Sequence, residues 1–149
     1  TGLGIDIGKH SIGHGGSFKD WDADELKVKI HKFHFQLMAD LMKKLEAVPE
    51  GDGSMLDNTV IVYLSDAAEA HHSRCGQWPF VLIPGKNTGL LGGRYLDFPH
   101  YMQDGHREIG NLYTTLLHAA GEKREYFGVR DAMLKGAARG DGPLEALLA

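Results

Sequence analysis

Asn58-Thr59-Val60-Ile61-Val62-Tyr63-Leu64-Ser65 is a continuous run of β-branched and aromatic residues. No alternation of polar and apolar positions gives it an inner and an outer face, so it predicts a strand buried on both sides, as in a parallel sheet. Pro79-Phe80-Val81-Leu82-Ile83-Pro84-Gly85 reads the same way, with its prolines at the ends, where strands tolerate them. Arg94-Tyr95-Leu96-Asp97-Phe98 is read as a short edge strand, and Leu3, Ile5 and Ile7 as a weak strand entering a glycine-rich loop.

Helices frame these runs. Over 18–48, Leu26, Ile30, Phe33, Leu37, Leu41 and Leu45 recur at three- and four-residue steps and form one apolar stripe. Asp22 and Glu25 have the spacing of a capping box, and Pro49 with Gly51-Asp52-Gly53 ends the helix. A second helix is predicted over 105–120, capped by Asp104 and closed by Gly121. The order helix, strand, loop, strand, helix predicts an α/β domain: a parallel-rich sheet flanked by helices. One domain over 1–149 is expected, with an irregular or short-helical tail at 131–149.

The chain has 149 residues, 42% hydrophobic and 24% charged, enough for a single core. A net charge of −4 gives no reason to expect nucleic acid as a partner. No apolar run is long enough to span a membrane. Thr1 is not an initiating methionine, which points to a processed or trimmed chain. Cys75, the single cysteine, cannot form an internal disulfide and leaves the compartment open.

Chemistry is concentrated in two histidine clusters. The first is Lys9-His10-Ser11-Ile12-Gly13-His14-Gly15-Gly16, preceded by Asp6. The second is Ser65-Asp66-Ala67-Ala68-Glu69-Ala70-His71-His72, beginning where the first strand ends. Imidazole and carboxylate on glycine-rich loops are the donor set of a transition-metal site. Ligands of open α/β sheets gather beyond the carboxyl ends of strands, where Asp66 falls. It can hold a metal, orient a histidine or cap a turn. One of His71 and His72 is expected to face the same site, since neighbours in an extended segment point apart. Glu69 is a weaker candidate for ligand or general base.

His10 and His14, four residues apart, would share a helix face, but Gly13, Gly15 and Gly16 argue for a loop. The spacing of His31 and His34 could hold a metal, but they read as partly exposed helix residues, and His106 and His118 as structural. His100 is a candidate pocket residue. Arg74 and Arg94 are candidates for a substrate anion, because guanidinium matches phosphate or sulfate oxygens.

The first histidine string, Pro49-Glu50-Gly51-Asp52-Gly53-Ser54-Met55-Leu56-Asp57-Asn58, Val62-Tyr63-Leu64-Ser65-Asp66, the run 79–85 and Leu91-Gly92-Gly93-Arg94-Tyr95 together resemble part of a known family. It is the C-terminal part of the bacterial domain-of-unknown-function family fifteen-fifty-two, and the resemblance covers roughly 1–130. That family is similar to alkaline-phosphatase and sulfatase-like proteins. The resemblance implies a three-layer α/β/α sandwich, export from the cytoplasm, divalent metals and hydrolysis of phosphate or sulfate esters. Asp6 and His10 look like the superfamily's Asp-x-x-x-His metal pair, and Asp66 like the aspartate on the other metal. His71 or His72 would add a ligand, and His14 matches the family's histidine-rich string. Ala67 stands where the superfamily often has histidine. The superfamily's nucleophile lies in an N-terminal half with no counterpart here, so the catalytic residue is unassigned and the chain is expected to be part of a longer protein.

Zinc is the expected ion, with calcium, copper and iron as alternatives. A histidine-rich copper or iron redox protein acting on a polymer is the second functional expectation. The third is a non-catalytic partner-binding module whose exposed sheet edge would favour homodimers.

Overall fold

The computed structural model describes residues 2–65 and 77–149. In chain order these form helix α1 (Lys9–Gly13), helix α2 (Ala23–Glu46), strands β1 (Pro49–Glu50) and β2 (Gly53–Ser54), strands β3 (Val60–Leu64) and β4 (Phe80–Pro84), and helix α3 (Ile109–Ala119). Single 3-10 turns occupy Met55–Asn58, Gly136–Ala138 and Glu145–Leu147.

The two apolar runs do form strands, but they pair antiparallel, with Val60 opposite Pro84, Val62 opposite Leu82 and Leu64 opposite Phe80. β1 and β2 make a second antiparallel pair. The expected parallel-rich sheet and three-layer sandwich are therefore overturned: among the described residues there are two two-stranded antiparallel ribbons. Apolar residues on both faces report what covers a strand and carry no information about direction. Here the β3–β4 ribbon meets helices on both sides. Val60, Phe80 and Leu82 pack with Leu112 and Leu116 of α3. Tyr63, on the opposite face, meets His31, His34 and Phe35 of α2. Residues 94–98 form no strand, and neither do residues 2–7.

α2 starts where the sequence places it. The Asp22 carboxylate accepts from the N–H groups of Asp24 and Glu25, and Glu25 accepts from the Asp22 N–H. Its stripe is covered unevenly: Leu26 is fully buried and Leu45 half-buried, whereas Leu37 and Leu41 between them stay 51% and 45% exposed. α3 begins later than expected. Its N-cap is Glu108, whose N–H is accepted by Asn111, so Asp104 caps nothing and His106 precedes the helix. Gly121, at φ +85°, follows the C-cap as expected.

Two apolar clusters hold the chain. Ile5, Ile12 and Leu26 join α1 to the start of α2. Leu90, Leu112, Leu144 and Leu147 join α3, the ribbon and the tail. The tail is irregular apart from two 3-10 turns, yet it supplies two of those four buried leucines. No helix of the described residues is long and apolar enough to cross a membrane.

Candidate functional site

The glycine-rich opening is helical for one turn, contrary to expectation. Ile12, 2% exposed, anchors that turn against Leu26, and this burial outweighs the helix-breaking tendency of Gly13. His14 closes the turn, its N–H reaching the His10 carbonyl, and Gly15 leaves it at φ +85°. The i, i+4 spacing therefore acts as it does on any helix. The His10 and His14 rings meet edge to face with centres 4.9 Å apart, on the exposed side of the turn. Asp6 is also exposed, between the core-facing Ile5 and Ile7.

A second group of rings lies next to α1. The Tyr63 hydroxyl sits 2.7 Å from His31 Nδ1 and 3.0 Å from His34 Nδ1. Burial, then the charges of His34 and of Lys9 on α1, hold the His31 pKa below its ordinary value. Burial raises that of the Tyr63 phenol. Lys9 thus brings α1 within electrostatic reach of α2, and Tyr63 brings α2 to the end of β3. Sequence reasoning set His31 and His34 aside as helix-surface residues. Their i, i+3 spacing was the available signal, but the partner lies 29 residues or more away, inside an apolar run.

Asp66, Glu69, His71, His72, Arg74 and Cys75 lie outside the described residues. Among the described residues, no three His, Cys, Asp or Glu side chains gather as a metal-holding group. The remaining candidates take other places. Arg94 is exposed and donates to the Ala146 carbonyl at 2.8 Å. With His100 it lines a cavity of about 600 Å³ between β4, residues 91–100 and the start of α3. His106 is buried with Nδ1 2.9 Å from the Pro99 carbonyl, and His118 Nε2 lies 2.8 Å from the Arg124 carbonyl. Both fit structural roles.

His10 and His14 are two imidazoles that could hold an ion together, at a ring separation that edge-to-face packing also gives. With metal–nitrogen bonds of about 2.0–2.1 Å at a tetrahedral angle, two imidazole centres lie roughly 5 Å apart. The observed 4.9 Å is close to that distance. No protein-family model, curated protein or solved structure matches the chain.

Proposed function

We propose that the chain is a metal-binding domain of a metal-dependent hydrolase, acting on phosphate or sulfate esters. The observation that carries this is the His10–His14 pair, two exposed imidazoles held edge to face by a turn whose underside is locked into the core. A divalent ion, zinc in the first instance, would polarise an ester oxygen or lower the pKa of a bound water. His10 and His14 would hold it. Asp6, Asp66 and one of His71 and His72 are the further ligands the sequence nominates, with Arg94 and Arg74 for the substrate anion. Export, and membership of family fifteen-fifty-two, belong to the same proposal.

Elemental analysis after dialysis tests it. One zinc per chain is expected in the purified or zinc-loaded protein. His10→Ala and His14→Ala should each lower the affinity by about tenfold or more, and Asp66→Ala should do the same. These histidines are exposed, so the circular dichroism spectrum should stay unchanged. A protein that retains no zinc, or variants that retain it as well as the parent, would overturn the proposal.

A further inference from the structure

We propose that Tyr63, His31 and His34 form a second cation site, separate from the His10–His14 pair, suited to copper(II) in a tetragonal geometry. Two independent measurements support it. Ligand bonds of about 2.0 Å at right angles put neighbouring donor atoms roughly 2.8–2.9 Å apart. The Tyr63 oxygen lies 2.7 and 3.0 Å from the two Nδ1 atoms. Two imidazoles on opposite sides of one ion have ring centres roughly 6–6.5 Å apart. The His31 and His34 rings are 6.3 Å apart and perpendicular. An ion held by the three would have the phenol oxygen beside both imidazoles and would leave a fourth place open. Tetragonal nitrogen and oxygen donors favour copper(II), which also heads the affinity order of the divalent first-row ions.

The exchange is balanced without redox change. A copper–oxygen bond forms, the Tyr63 O–H bond breaks, and the proton passes to solvent. The imidazole that donates to the hydroxyl moves its Nδ1 proton to Nε2. Because the phenol binds as phenolate, binding releases a proton and strengthens as pH rises. Lys9, whose charge acts on His31, opposes a cation there.

Titration with copper(II) chloride, followed by visible absorption and electron paramagnetic resonance, tests the site. The first equivalent should produce a phenolate-to-copper charge-transfer band. Tyr63→Phe, which keeps the ring packed against Phe35, should abolish the band and weaken binding by about tenfold or more. His31→Gln and His34→Gln should each weaken it similarly, and Lys9→Ala should strengthen it. The His10→Ala/His14→Ala double variant should keep the band, which separates this site from the proposed zinc site. Absence of the band in the parent protein, or its persistence in Tyr63→Phe, would overturn the proposal.

Discussion

One hydroxyl hydrogen cannot serve two acceptors. Tyr63 therefore donates to one of His31 and His34 and accepts an Nδ1–H from the other, so the two rings carry different tautomers. Protonating His31 opposes this arrangement, because burial and the charges of His34 and Lys9 disfavour a second positive ring. Folded His31 thus titrates below the ordinary 6.5. As pH falls, the unfolded chain takes the proton first, and the folded state loses ground. The contribution of His31 is intact above pH 6.5, declines as pH drops through that value, and stops declining below the folded pKa. Urea midpoints measured at pH 7.5 and 5 should differ less in His31→Gln than in the parent protein. An equal difference in both would show that His31 does not contribute to the pH dependence.

At the scale of elements, α2 depends on its first turn. Asp22 satisfies two of the N–H groups that a helix start leaves without partners, at 2.9 Å each. Asp22→Ala should cost about 1 kcal/mol, within a usual range of roughly 0.5–2 kcal/mol. The change should appear as a lower urea midpoint with an unchanged slope, and an unaltered midpoint would deny the cap any role. That cap was legible because its partners lie two and three residues away. The α1 turn was not legible: Gly13, Gly15 and Gly16 outvoted the His10–His14 spacing, and only the burial of Ile12 beside Leu26 reverses the balance. Strand direction was equally hidden. Val60–Leu64 and Phe80–Pro84 announce strands through composition, but composition carries no information about the direction in which they pair. The same limit explains the missed triad, since Tyr63 gains its meaning only once β3 is laid against α2.

Across the whole molecule, the tail is held by hydrogen bonds that have no sequence period. Asn111 is fully buried. Its Nδ2 donates to the Gly140 and Gly142 carbonyls at 2.9 and 2.8 Å, and its Oδ1 accepts from the Glu108 N–H. One turn on, Thr115 Oγ1 accepts from the Leu144 N–H at 2.7 Å. The chain end continues along the other side, with Leu91 donating to the Leu147 carbonyl and Ala149 to that of Gly89. These bonds place Leu144 and Leu147 over Leu112, so an irregular segment becomes core. Asn111→Ala would leave the buried Gly140 carbonyl, the half-buried Gly142 carbonyl and the half-buried Glu108 N–H without their partner, and such groups cost about 1–3 kcal/mol each where water cannot replace the bond. Relaxation of the tail relieves part of that, so a net loss of roughly 2–4 kcal/mol is expected, which places the change among the severe single substitutions. Hydrogen exchange should quicken at Leu144 and Leu147 before it does at Leu26, because the Ile5–Ile12–Leu26 cluster shares no residue with the tail cluster. Equal acceleration in both clusters would mean that the described chain opens as one unit, and the tail would then lose its standing as a separately held element.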